Sequence, residues 1–114
     1  MALNNDFLLK IQSLMDEFIA RRRPPEDIRN LVDLFYRIEN QSVVIIEKRQ
    51  RYDCDEYYDF PIAKATYIES RKQWKIFWMR SDEKWHGYKP LEYCRYLSKF
   101  IKTVDEDKYH CFWG

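Results

Sequence analysis

Glycine is scarce in this 114-residue chain: there are two, Gly87 and Gly114, and neither lies in a glycine-rich run. Loops that cradle phosphate need several glycines so that backbone amides can close on the ligand, so Walker and Rossmann sites are excluded. Long apolar runs are missing as well. The longest extends only from Val43 to Ile46, far short of the roughly 20 residues that span a bilayer. No basic segment followed by an apolar run opens the chain, so neither a membrane span nor a signal peptide is expected. Cysteine is represented by Cys54, Cys94 and Cys111, an odd number without a Cys-x-x-Cys pair. That pattern predicts reduced thiols in a cytoplasmic protein rather than a disulfide framework. His86 and His110 complete the soft-ligand inventory, but structural zinc sites draw paired ligands from tight turns and no such pair occurs. No metal and no cofactor is expected. An excess of one charge is also lacking, with 20 Lys and Arg against 19 Asp and Glu. Binding to nucleic acid by bulk charge is thereby excluded, and a local basic patch is not.

What is present is an ordinary globular composition, 46% hydrophobic and 34% charged, in a length that makes one domain over residues 1–114. Aromatics reach 18% and are the one excess. Apolar residues recur at helical spacing from Phe7 to Ile19, with Asn4, Asn5 or Asp6 to cap the start. Arg21-Arg22-Arg23 set positive charge at the negative end of the dipole, and Pro24-Pro25 stop the helix. Pro25 then opens a short helical turn at Glu26-Asp27-Ile28. Alternation follows in Asp33 to Ile38 and Val43 to Lys48, and a hairpin with Asn40-Gln41 at its turn sets Asp33 opposite Lys48, Tyr36 opposite Ile45 and Ile38 opposite Val43. The acid-rich segment Asp53 to Asp59 reads as an exposed loop. A second hairpin joins Ile62–Glu69 to Trp74–Arg80 through residues 70–73, with Ala65 opposite Trp78 and Tyr67 opposite Ile76. Its other face holds Ile62, Lys64, Thr66, Ile68, Lys75, Phe77 and Met79, only half of it apolar. A short strand follows at Trp85–Tyr88, and a second helix is expected from Pro90 with Tyr93, Tyr96, Leu97, Phe100, Ile101 and Val104 on its stripe. The apolar end of the chain predicts a docked tail forming an added edge strand. The expected architecture is α+β: an N-terminal helix, an antiparallel meander of about five strands, and a C-terminal helix with the docked tail, both helices lying on the face of Ala65, Tyr67, Trp74, Ile76 and Trp78.

Several strings together carry a resemblance: RRRPP at residues 21–25, YRIENQSV at 36–43, IAKATYIESRKQWKIFWMRSDEKWHGY at 62–88, and VDEDKYHCFWG at 104–114. They resemble a family of small bacterial proteins known as domain of unknown function 3024, across nearly the whole chain. The family has glycine where this chain has Asn40, which changes the turn chemistry but not the hairpin. The resemblance implies a cytoplasmic bacterial protein and brings with it no reaction, cofactor or catalytic residue.

Four constellations are candidates for chemistry. The first is basic and aromatic: Arg71, Lys72, Trp74, Lys75, Phe77, Arg80, Lys84, Trp85 and His86 crowd into one stretch whose only acids are Asp82 and Glu83. Sheet faces that bind single strands combine stacking rings with cations along the backbone, and the face of Lys64, Lys75 and Phe77 suits that use, with Arg21, Arg22 and Arg23 as added phosphate contacts. The competing reading makes Trp74, Trp78 and Trp85 core and the cations a solvated rim. The second is Asp33 with Glu47, followed by Arg49, an arrangement similar to the carboxylates of divalent-metal nucleases and phosphodiesterases; the hairpin register, however, sets the two on opposite faces. Third, no Gly-x-Ser-x-Gly elbow exists, and the neighbours His110 and Cys111 point apart in an extended segment, so a Cys–His pair would need Cys94 or Cys54 with His86. Fourth, Asp53, Asp55, Glu56 and Asp59 lack the glycine and closing glutamate of a calcium loop, and set against the basic rim of a second copy they suit a homodimer contact. The function expected from the residues alone is a non-catalytic binding module for protein or single-stranded nucleic acid, with the metal-dependent nuclease as its rival.

Overall fold

The computed structural model describes residues 3–51 and 56–113. Helix α1 runs Asn5–Arg22, capped by the Asn4 side chain, which accepts from the Phe7 amide at 2.8 Å. After a 3₁₀ turn at Glu26–Ile28 the sheet follows: β1 Val32–Glu39, β2 Ser42–Gln50, β3 Tyr57–Ile68, β4 Gln73–Met79 and β5 Trp85–Gly87. These five lie side by side in chain order and antiparallel, as a meander should. A second 3₁₀ turn, Lys89–Leu91, leads to the short β6 Tyr93–Cys94 and then to α2, Leu97–Glu106.

The first hairpin has the register read from its alternation, with Asp33 opposite Lys48, Tyr36 opposite Ile45 and Ile38 opposite Val43. Asn40 turns it with φ 54°, a left-handed conformation that asparagine tolerates better than most side chains. The second hairpin differs by two residues: Ala65 faces Ile76 and Tyr67 faces Trp74. Its four-residue loop begins one position earlier than expected because Lys72 takes φ 54°, closing the turn and returning Gln73 to the strand. A slip of two preserves which face each side chain occupies, so small Ala63 and Ala65 still lie beside large Trp78 and Ile76. Strand β3 is longer than expected. Tyr57, Tyr58 and Asp59, read as loop, pair with Gln50, Arg49 and Lys48, while Asp53, Cys54 and Asp55 of that segment lie outside the described residues. A bulge leaves Ile62 unopposed, since Ile45 faces Ala63 and Ile46 faces Pro61.

The helix expected from Pro90 begins instead at Leu97. Tyr93 and Cys94 pair with Lys75 and Trp74, and the Ile76 amide donates to the Glu92 carbonyl at 2.9 Å. The far edge of β4 is covered by β5 over Phe77 to Met79 and has unpaired groups below that point. Satisfying those groups outweighs the helical periodicity of the segment.

One sheet face forms the core. Ile11, Met15 and Phe18 of α1 and Leu97, Phe100 and Val104 of α2 pack on Val43, Ile45, Ala63, Ala65, Trp74 and Ile76, all buried. The tail is docked as expected, but not as a strand. Asp107 adopts φ 41°, and its nearly buried carboxylate accepts from the backbone amides of Cys111 at 2.8 Å, Phe112 at 3.1 Å and Trp113 at 2.9 Å. Phe112 enters the core against Tyr88, their ring centroids 4.9 Å apart. Trp113 donates its indole N–H to the Val104 carbonyl at 2.7 Å. Among the described residues, no helix is long and apolar enough to cross a membrane.

The end of α1 is fastened by its arginines. Arg21 and Arg22 both pair with Asp105 of α2, and the Arg22 guanidinium stacks 4.3 Å from the Trp113 ring centroid. Arg23 forks onto both carboxylate oxygens of Asp33 at 2.8 Å. This fork holds the Asp33 carboxyl below its ordinary pKa, against a smaller opposing push from burial.

Two outcomes follow. Asp107→Ala leaves three amides without their acceptor and is expected to lower unfolding free energy by about 3 kcal/mol, given the worth of hydrogen bonds to charged groups; urea denaturation followed by tryptophan fluorescence measures it. Because the Asp33 pKa is lower in the folded than in the unfolded chain, its contribution is complete above pH about 4 and fades as pH falls through the folded value. Urea midpoints from pH 7 down to pH 3 should therefore fall more steeply for the wild type than for Asp33→Asn.

Candidate functional site

The second sheet face carries no helix. Pairing carries Phe35, Arg37, Val44, Lys64, Thr66, Lys75, Phe77, Trp85 and Tyr93 onto it, since each alternates with a core-facing neighbour. Val44 and Ile46 are buried there even without a helix above them. Over this apolar base lies a row in which rings and cations interleave. The Lys64 ammonium sits 4.7 Å from the Phe77 centroid and 4.9 Å from that of Trp85. Lys75 lies 5.3 Å from Phe77 and 5.9 Å from Tyr93, and the Arg71 guanidinium lies 3.7 Å from Tyr93.

Among the described residues, Lys64, Arg71 and Lys75 form no ion pair, and their charges rest on ring faces instead. Burial pushes the Lys64 pKa down, partly opposed by Glu39. The rings are half-buried, where a cation is held by about 0.5–2 kcal/mol, so an anion that draws these three cations away must offset that loss. Beside Lys64 and Trp85 a cavity of about 340 Å³ is lined by Arg37, Gln41, Ser42 and Thr66; the hydroxyls of the last two share a hydrogen bond of 2.7 Å.

Of the residues singled out in the sequence, Lys64, Arg71, Lys75, Phe77 and Trp85 come together on this face. The others do not. Lys72 pairs with Glu69 at 2.8 Å, and His86 lies opposite Trp78, on the helix-bearing side, bonded to Asp82 at 2.8 Å. Arg21, Arg22 and Arg23 are held by Asp105 and Asp33. Thr66 lies on the face read for it from the alternation, whereas Tyr93, Arg37 and Ser42 are additions that the sequence reading does not place there. Tyr93 fits the helical stripe equally well, and the only signal against that placement is Pro90-Leu91, which forms a separate 3₁₀ turn.

The carboxylates of the metal reading are otherwise engaged. Asp33 lies opposite Lys48 and Glu47 opposite Leu34, so the two differ in strand parity; both border one cavity of about 190 Å³, and each is paired with an arginine, Arg23 and Arg49 respectively. Among the described residues no three His, Cys, Asp or Glu side chains converge as a metal site would require. Cys94 is buried, and burial raises its thiol pKa; burial likewise raises that of Cys111, with Asp107 adding to it. Neither described thiol has the lowered pKa of an activated nucleophile.

Comparison with curated proteins and with solved structures gives no match. A family model does match, from residue 5 to residue 114, across both helices, the whole sheet and the clamped tail, and the chain therefore belongs to the family described as Domain of unknown function (DUF3024).

Proposed function

We propose that the chain is a non-catalytic binding module whose helix-free sheet face takes single-stranded nucleic acid. One observation carries the reading: Lys64, Lys75 and Arg71 alternate with Phe77, Trp85 and Tyr93 on that face, and each cation leans on a ring rather than a carboxylate. Single strands are bound without a sequence motif by this combination, in which bases stack on rings and phosphates meet cations. An arriving phosphate draws each cation from its ring face and leaves that face to a base. The near-zero net charge makes the attraction local to this face. Arg21, Arg22, Arg23, Lys72 and His86 stay out of the proposed surface because each already has an acidic partner. The reduced thiols Cys94 and Cys111 support a cytoplasmic setting for this activity.

Fluorescence anisotropy with labelled single-stranded DNA and RNA tests the reading. Binding is expected at low salt and should weaken linearly on a logarithmic salt scale. Phe77→Ala removes one stacking platform and is expected to weaken binding by about tenfold to a hundredfold, in line with the 1–3 kcal/mol of one stacked base. Lys75→Ala should reduce the salt slope by about one. No binding at low salt, or binding indifferent to both changes, overturns it.

A further inference from the structure

Strand β3 outruns its neighbour. It begins at Tyr57, yet β4 pairs with it only from Ala63, opposite Trp78, onward. The chain leaves β4 after Met79 through a turn in which the backbone amide of Glu83, a residue at φ 61°, donates to the Arg80 carbonyl at 2.9 Å. A groove of about 730 Å³ opens between Tyr58–Ile62 on one side and residues 79–83 on the other, with Phe112 and Trp113 of the clamped tail also lining it. Over Tyr57–Ile62, β3 is paired with β2 along one edge and, among the described residues, with no strand along the other.

Ladder geometry fixes which backbone groups face this groove. The Arg51 amide donates to the Glu56 carbonyl at 2.7 Å, so the alternate facing pairs Arg49–Tyr58 and Glu47–Phe60 are the hydrogen-bonded ones. The N–H and C=O of Tyr57 and Asp59 then point away from β2. Pro61 comes next in that alternation, at a position where a proline has no ladder donor to lose.

We infer that this edge binds a basic peptide segment in extended form, as an added β-strand beside Tyr57–Pro61. Free donors and acceptors at alternate residues are what a docking strand recognises. At strand rise the edge is about 17 Å long. Tyr58 and Phe60, 41% and 39% exposed with ring centroids 4.6 Å apart, offer an apolar shelf for every second side chain of the incoming segment. Charge selects the sign of the partner. Glu47 is neutralised by Arg49, and Lys48, across the ladder from Asp59, sets its ammonium 5.3 Å from the Tyr57 ring centroid and outside the groove lining. Within the groove Asp59, Glu83 and Arg80 have no ion-pair partner among the described residues, leaving two carboxylates against one guanidinium there. The same edge of a second copy fits less well, because Tyr57–Ile62 contains no basic residue to meet Asp59 and Glu83. This site is separate from the helix-free face and stands without it.

The test uses the full chain and a fluorescein-labelled octapeptide of alternating lysine and valine. Binding is expected, with perturbation of the Tyr57 and Asp59 backbone amides in NMR spectra, and about tenfold weaker binding of the glutamate–valine counterpart at low salt. N-methylation of the peptide at all its lysine amides, or at all its valine amides, should abolish binding in one of the two forms. Asp59→Pro deletes an outward N–H together with the Asp59 carboxylate and leaves the hydrogen bonds to β2 in place, so it should abolish binding while the protein stays folded. Asp59→Lys, which keeps the backbone, should weaken the lysine–valine peptide about tenfold and serves if the proline variant does not fold. The inference is overturned if the lysine–valine peptide does not bind at about 1 mM, the concentration at which a −4 kcal/mol contact is half-saturated. It is equally overturned if both N-methylated forms bind like the parent, if Asp59→Lys changes nothing, or if light scattering shows a dimer that Asp59→Lys dissociates.

Discussion

The carboxylate of Asp107 holds the C-terminal part of the molecule in place. A nearly buried charge is costly unless its lone pairs are met, and three consecutive backbone amides meet them here. The consequences spread outward from that contact. Helix α2 ends because Asp107 takes a left-handed conformation, Phe112 is delivered into the core beside Tyr88, and Trp113 is set where the Arg22 guanidinium can stack on it. Arg22 also reaches Asp105, so one short stretch of chain ties the end of the first helix to the end of the second.

The two sheet faces solve different problems. On the covered side, Ala63 and Ala65 leave room beneath the helices, and the bulky side chains Trp74 and Ile76 fill it from the neighbouring strand. On the other side Val44 and Ile46 are buried without a helix, and the row above them is neither apolar enough to demand cover nor paired enough to be inert. Three cations on rings, in place of three ion pairs, cost the fold little, since an exposed salt bridge is worth no more than such a contact.

Much of this architecture is readable in the residues, for reasons that differ by element. The first hairpin is specified twice over, by alternation along both strands and by Asn40 at the turn, so its register is recoverable rung by rung. In the second hairpin alternation fixes the faces, but nothing in Ser70-Arg71-Lys72-Gln73 marks Lys72 as the residue with positive φ, and the pairing slips by two. The segment from Pro90 to Tyr96 satisfies a helical stripe and an extended pairing equally; only the unfilled edge of β4, a property of the assembled sheet, decides between them. The candidate face is partly visible for the same reason that strands are: Lys64, Lys75 and Phe77 share a parity. Tyr93 arrives there by long-range pairing, and His86 leaves it because its parity matches Trp78. The Asp107 clamp has no local signature, since an aspartate at the end of a helix reads as ordinary solvated charge.

The double return of the chain to β4 bears on how the molecule opens. From Trp74 to Trp78, that strand is flanked by β3 on one side and, on the other, by β6, the Tyr88 and Glu92 backbone, and β5 in turn. Strand β1, by contrast, has a single neighbour. Hydrogen exchange is therefore expected to grade across the sheet, slowest at the amides of β4 and fastest at the outward amides of β1 and of the overhanging start of β3. The slowest exchange is thus expected within residues 63–94, where β4 is paired along both edges.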